Sequence, residues 1–344
     1  MACFHPLIRY VKGIDPETGK EIAVVRPYSD AMVDRDHKPW FEFMTIPCGK
    51  CIGCRLEYSR QWANRLMLEK EYYPDEQCWF VTLTYDDDYV PRRPVSDPDT
   101  GVYLYDSYSL NKRDVQTFFK HLRKHFPLCK IRFYAAGEYG SKTIRPHYHA
   151  IIFGLTLTDL TVYRRTSLGD ILYNSKSVED CWSNFVGFRS DGSPYYDKIG
   201  HVVLAPVTWE TCAYVARYVT KKMSGPLAQY FVLQNMELPF SLMSRRPGIG
   251  NQWFKDHPDC MDMKYINLRT KTKGLKFQPP KYYEDLYEVE QPVLAELRKK
   301  ERADYFERTR QVLLRSIDKP YLLYLADKEA DLKGRLKVLQ RVQI

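Results

Sequence analysis

Between residues 111 and 126 the chain reads NKRDVQTFFKHLRKHF, and Val115, Phe118, Phe119, Leu122 and Phe126 recur at helical spacing. That pattern predicts an amphipathic helix with one buried stripe and a basic character from Lys112, Arg113, Lys120, Arg123 and Lys124. A second helix is predicted over 55–73, where Leu56, Ala63, Leu66 and Met67 share a face and leave Arg55, Arg60 and Arg65 to solvent. A third is predicted over 209–223, with Thr208 as its N-cap. Short apolar runs rich in β-branched residues lie between them, over 78–85, 130–136, 147–155 and 200–207, and read as strands. The stretches 47–54 and 137–146 read as loops. From about 281 the chain reads as charged helices broken near Pro320. Strands interleaved with helices, with close antiparallel neighbours, predict an α+β fold rather than a doubly wound sheet. Three segments are expected: 1–75 with a cysteine cluster and a basic helix, 76–224 as the core, and 225–344 as a helical C-terminal extension.

Composition narrows the partners. The 344 residues are 44% hydrophobic, enough for a sizeable core, and the formal net charge is +9. A basic balance favours a polyanion, nucleic acid first and a membrane surface second. No stretch has the length of a membrane-spanning helix, and the N-terminal MACFHPLIRYVKG lacks the apolar region of a signal peptide. Nine cysteines without an export signal point to a reducing compartment, with some of the thiols on a metal. The 27 tyrosines suit base stacking and core filling alike.

The stretch RPHYHAIIFG (145–154) places His147 and His149 one residue apart on a predicted strand. Residues two apart project from the same strand face, about 6–7 Å apart at the backbone, so two imidazoles can converge on one ion. On that spacing alone, two ordinary histidines on a half-buried strand read equally well. Glu138, nine residues upstream, adds a carboxylate if the chain returns as a hairpin. Two imidazoles and a carboxylate suit a divalent ion with open positions, such as Mn²⁺ or Mg²⁺. In YVARYVTKK (214–222), Tyr214 and Tyr218 share a helix face, and Lys221 stands one turn beyond Tyr218, where a cation can stabilise a phenolate. His121 and His125 lack the glutamate of a metalloprotease helix and read as part of a solvated basic face open to phosphate.

VTLTY (81–85), RPHYHAIIF (145–153) and YVARYVTKK (214–222), in this order, resemble the three motifs of HUH-type rolling-circle replication initiators and relaxases. CGKCIGCRLEYSRQWANR (48–65) and MSRRPGIGNQW (243–253) are similar to the gokushovirus branch of the microviruses, small single-stranded DNA phages. The motif-bearing resemblance covers roughly 48–223. It implies an HUH endonuclease-like core and a metal-dependent nickase that attacks the viral origin strand through tyrosine. The products are a 5′-phosphotyrosine and a free 3′-OH, followed by strand transfer and circularisation. On this resemblance the catalytic residues are Tyr218, Tyr214 and Lys221, and the catalytic Mg²⁺ or Mn²⁺ sits on His147, His149 and Glu138. The implied partners are single-stranded DNA, the double-stranded viral origin, and the host helicase and polymerase, with no membrane. The implied location is the cytoplasm of the infected bacterial host.

Cys48, Cys51 and Cys54 form C-x₂-C-x₂-C, with Cys3 as the natural fourth ligand and His5 as its competitor. Four soft ligands in a reduced protein read as structural Zn²⁺, ahead of an iron–sulfur cluster, since no redox chemistry is otherwise implied. Cys78, Cys129, Cys181, Cys212 and Cys260 are scattered and read as buried apolar residues. Two other classes compete. A non-catalytic, zinc-stabilised nucleic-acid binder accounts for the cysteines and the charge but leaves the histidines and tyrosines without a role. An iron oxygenase uses two histidines and one carboxylate but leaves the tyrosine pair and the charge unexplained.

Overall fold

The computed structural model describes residues 3–33, 41–140, 142–166, 169–219, 226–269 and 274–339. Its centre is a seven-stranded sheet: β1 (Cys78–Thr84), β2 (Arg132–Tyr139), β3 (Pro146–Phe153), β4 (Leu160–Arg165), β5 (Ile171–Ser175), β6 (Val202–Pro206) and β7 (Phe240–Met243). The spatial order is β7-β2-β3-β1-β6-β5-β4, and every neighbouring pair is antiparallel. The fold is therefore α+β, as the interleaved pattern predicts. β3 lies inside the sheet between β1 and β2, and both of its faces are covered, which is why HYHAIIF shows no polar alternation.

Helices cover the two faces. α1 spans Ile52–Lys70, α2 Lys112–His125, α3 Lys176–Cys181 and α4 Trp209–Val219. The apolar stripe of α2 behaves as its period predicts: Val115, Phe118, Phe119 and Leu122 are buried, and Phe119 stacks on Phe133 of β2 at 3.6 Å. That face of the sheet carries Leu83, Tyr148, Ala150, Ile152 and Leu204. The other face meets α4 and the second half of α1. There Trp62 packs on Tyr134 at 4.8 Å, and the Trp209 indole donates to Asn64 at 3.0 Å. Thr208 caps α4 reciprocally. Its Oγ1 accepts from the Thr211 amide at 3.2 Å, and the Thr211 hydroxyl accepts from the Thr208 amide at 2.9 Å.

Several expectations need correction. α1 starts at Ile52, three residues early, because the cysteine loop leads straight into it, and it ends at Lys70. Arg65 is not left to solvent: it donates to the Ile249 carbonyl at 2.8 Å and lies over the Trp62 ring at 4.1 Å. Glu69, on the same helix, is buried, paired with Arg132, and accepts from the Gly250 amide at 2.6 Å. These contacts hold the 245–250 turn against α1 and β2, which gives SRRPGIG a structural role. The loop expected over 137–146 is shorter, because pairing of Glu138 with His147 and Tyr139 with Pro146 extends both strands. The segment 225–344 is not wholly helical. β7 pairs with β2 at the sheet edge, and Ile266–Arg269 and Gly274–Phe277 form a separate hairpin, runs of four residues too short to show a period.

The chain divides into two compact units, Ser59–Pro280, which holds the sheet, and Met1–Tyr58 with Lys281–Ile344. In the second unit, strands Leu7–Ile14, Glu21–Pro27 and Met44–Ile46 form a small sheet. Ile8, Tyr28, Leu314, Tyr321 and Leu325 make its core, the last three from the C-terminal helices. Among the described residues no helix is long and apolar enough to cross a membrane.

Candidate active site

Strand register assembles the first group. His147 pairs with Glu138 on β2 and with Thr84 on β1, and His149 pairs with Ala136 and Thr82. Residues directly opposite share a face, so His147, His149, Glu138, Thr82 and Thr84 all point to one side. His147 Nε2 lies 2.9 Å from Glu138 Oε1, and His149 Nε2 lies 3.1 Å from the same oxygen. The other ring nitrogens are also held: His147 Nδ1 by the Arg145 carbonyl at 3.2 Å, and His149 Nδ1 by Thr82 Oγ1 at 3.0 Å. Both imidazoles thus present Nε2 to the carboxylate, the arrangement that a second partner imposes on metal-ligating histidines.

Glu138 is 3% exposed. Burial pushes its carboxyl up, but hydrogen bonds from His147 and His149 outweigh burial and hold it at about 2. It is therefore an anion at neutral pH. The ligand atoms of Glu138, His147 and His149 lie within 4.8 Å of one another, a donor set able to hold a metal ion.

Tyr214 of α4 reaches this group: its half-buried ring meets His149 edge-on, with centroids 5.0 Å apart. Phe80 stacks on the other side of His149 at 5.4 Å and 12°. Tyr218 lies on α4, but its side chain falls outside the described residues, as does Lys221. Beside His147 opens a cavity of about 470 Å³, lined among others by Thr84, Asp86, Asp87, Arg145 and His201. Arg145 pairs with Asp87 and donates to the Tyr85 carbonyl at 2.6 Å, and His201 Nε2 lies 3.1 Å from Asp86. At the cavity wall, a Cβ on Gly200 would stand 1.8 Å from the Thr84 carbonyl oxygen, so only glycine lets β1 and the 199–201 segment approach this closely.

Sequence reasoning did not single out Thr82, Phe80, Arg145 or His201. For the first two a signal exists: in CWFVTLTY, period two puts Phe80, Thr82 and Thr84 on one face. Nothing in the sequence alone marks Arg145 or His201.

The second group is in the other unit. Cys3, Cys48, Cys51 and Cys54 bring their sulfurs within 4.8 Å of one another. Backbone amides point at three of them: Cys48 to the Cys3 sulfur at 3.2 Å, Cys51 to that of Cys48 at 3.3 Å, and Cys54 and Phe4 to that of Cys51 at 3.5 and 3.4 Å. Such amides stabilise thiolates, the form that binds metal. Gly49 supplies the tight turn between Cys48 and Cys51, with φ +71°. His5 is outside this group. Its Nε2 lies 2.9 Å from Glu329, which decides the fourth position in favour of Cys3. Of the scattered cysteines, Cys78, Cys181, Cys212 and Cys260 are buried and Cys129 is half-buried.

With this geometry in place, the comparisons with known proteins define the class. The family model described as replication-associated protein ORF2 matches residues 78–223, from the start of β1 to just beyond α4. The chain is 30% identical to the replication-associated protein ORF2 of Spiroplasma virus 4, across 99% of this chain and 98% of that protein. It therefore belongs to the replication-associated protein family. It is also 29% identical to the replication-associated protein VP4 of Bdellovibrio phage phiMH2K, over 72% of this chain and 69% of that one. The replication-associated protein ORF4 of Chlamydia phage 1 is 27% identical, over 70% and 53%. No solved structure matches the chain at a significant level.

Proposed function

We propose that the protein is an HUH-type endonuclease that initiates rolling-circle DNA replication of a single-stranded DNA phage inside the infected bacterial cell. The observation that carries this reading is the buried Glu138 carboxylate between two imidazoles, with the Tyr214 ring on one of them. A non-catalytic binder has no use for that arrangement, and an iron oxygenase gives no role to the tyrosine or to membership of a replication-associated family.

A Mg²⁺ or Mn²⁺ held by Glu138, His147 and His149 would polarise the scissile phosphate. The chain's own groups do the rest. A phenol of Tyr218 or Tyr214 loses its proton, and Lys221 lowers the cost of the phenolate on Tyr218. The phenolate oxygen bonds to phosphorus, the bond from phosphorus to the 3′ oxygen breaks, and that oxygen takes up a proton. The products are a 5′-phosphotyrosine and a free 3′-OH for the host polymerase, working with a host helicase. After one round the second tyrosine cleaves again. The released 3′-OH attacks the first phosphotyrosine, restores a phosphodiester and returns the phenol. Bond count is conserved at each step, so circularisation needs no external energy source. Cys3, Cys48, Cys51 and Cys54 would hold a structural Zn²⁺.

The test is incubation of labelled single-stranded origin DNA with protein and Mn²⁺. The expected result is a denaturant-resistant, protease-sensitive adduct, mapped by mass spectrometry to Tyr218 or Tyr214. DNA binding with no adduct would overturn the reading.

A further inference from the structure

Between α3 and β6 the chain forms a hairpin, Ser183–Phe188 against Pro194–Lys198, that pairs only with itself. Its rings face outward: Phe188 is 72% exposed and Phe185 51%, with Tyr195 and Tyr196 also exposed. They form an open ladder, Phe185 to Phe188 at 5.2 Å and Phe185 to Tyr196 at 5.7 Å. Tyr196 continues the series to His121 of α2 at 5.0 Å. Leaving several aromatic faces in water forfeits burial that a two-stranded hairpin would otherwise exploit. The hairpin is nevertheless well anchored at its base, where Ile199 donates to the Trp182 carbonyl at 3.1 Å and Lys198 pairs with Glu179 at 3.0 Å.

The base of this hairpin opens onto a cavity of about 580 Å³. Its walls include Lys124, Lys176, Arg189, Lys198, His121 and His125. One carboxylate, Asp180, also lines it and is already engaged by Lys176 at 2.7 Å. Lys124 and Arg189 form no ion pair among the described residues, and the Arg189 guanidinium lies over the Tyr195 ring at 5.3 Å. The cavity sits by α2, on the side of the sheet away from His147 and His149. It is thus separate from the metal-ligand group.

Cations beside exposed rings are the two components of a single-strand site: the cations track phosphates, and the rings stack on unpaired bases. A duplex keeps its base faces stacked on one another and would leave the rings unused. A protein partner would use the rings but leaves the concentration of cations unexplained. We infer that this hairpin and the adjoining basic cavity form a second DNA site, which holds single-stranded DNA by stacking on Phe185, Phe188 and Tyr196 with phosphates on Lys124 and Arg189. The choice of DNA as the polyanion rests on the function proposed above, but the binding is independent of cleavage.

The experiment measures binding of fluorescein-labelled oligothymidylate and of a labelled duplex by anisotropy, in chelator so that no cleavage occurs. The protein variants are Phe185→Ala/Phe188→Ala and Lys124→Gln/Arg189→Gln, all at exposed positions. The aromatic variant should bind oligothymidylate about tenfold more weakly, with duplex affinity and salt dependence kept. The charge variant should bind it more weakly, with a salt slope shallower by about one per cation removed. Restoring rings with Phe185→Trp/Phe188→Trp should restore affinity. Unchanged oligothymidylate binding by the aromatic variant overturns the inference, and so does an equal loss on duplex. Adduct formation with Mn²⁺, assayed separately, tests only the nicking reading, so the two can fail independently.

Discussion

Thr82 Oγ1 stands 3.0 Å from His149 Nδ1, directly across the β1–β3 ladder. The contact joins the first strand motif to the paired histidines and turns His149 Nε2 toward Glu138. Replacing the hydroxyl by a methyl keeps the volume and removes the contact. Thr82→Val should weaken Mn²⁺ binding by about tenfold or more, with the fold intact. Titration of Mn²⁺ followed by electron paramagnetic resonance, with circular dichroism as control, measures it.

His147→Ala and His149→Ala should each abolish adduct formation while changing DNA affinity by about twofold or less, because cationic contacts to phosphate supply most of the affinity. In chelator each should also cost about 2 kcal/mol of stability, since Glu138 loses a partner inside the protein. Adding Glu138→Gln to either variant should recover part of that cost. Urea unfolding of the single and double variants reads the coupling.

The two tyrosines should divide the work. Tyr218→Phe should damage first-strand cleavage more than Tyr214→Phe, because Lys221 stands one helical turn from Tyr218. Either single variant should fail to release closed circles, and the double variant should bind DNA without forming an adduct. Phenylalanine keeps the ring, so a purely packing role would leave cleavage intact in all three. Gel analysis of adducts and circular product distinguishes the outcomes.

Cys51→Ser should release about one equivalent of Zn²⁺ and lower the melting temperature, since a structural zinc site contributes folding free energy. Elemental analysis and calorimetry of the two proteins check it, and the intact protein should show no iron–sulfur absorbance.

Asp114 offers a pH test. Burial raises its carboxyl above the ordinary value, and hydrogen bonds from Tyr85 at 2.7 Å and Asn111 at 2.9 Å only partly offset this. A carboxyl raised on folding favours the fold at pH below its unfolded value of about 3.9, and that contribution is lost as pH rises through the folded value. Asp114→Asn keeps an acceptor for Tyr85 and removes the titration. The stability of wild type relative to this variant should therefore fall between about pH 4 and pH 7. Urea midpoints across that range give the sign.

Much of the candidate site was legible because period two and period 3.6 are geometric. The spacing of His147 and His149, the stripe of α2 and the cap at Thr208 each follow from one local rule. What stayed hidden depends on contacts between distant segments. Glu69 and Arg132 are 63 residues apart and read as ordinary surface charges until folding buries them together. β7 is four residues long and exists as a strand only by pairing with β2. His201 reaches the cavity wall because Gly200 lets its segment lie against β1, and no periodicity encodes that approach.

The ligands of the first group come from neighbouring strands whose register is shared. A slip of one residue on β3 would turn Tyr148 and Ala150 toward α4 and send both imidazoles into the apolar layer beneath α2. Such a chain could still be compact, but it would have no ion site. The group therefore acts as its own quality control: a chain that has paired its strands wrongly cannot cut DNA, and a nuclease able to harm its surroundings comes into being only when its fold is correct.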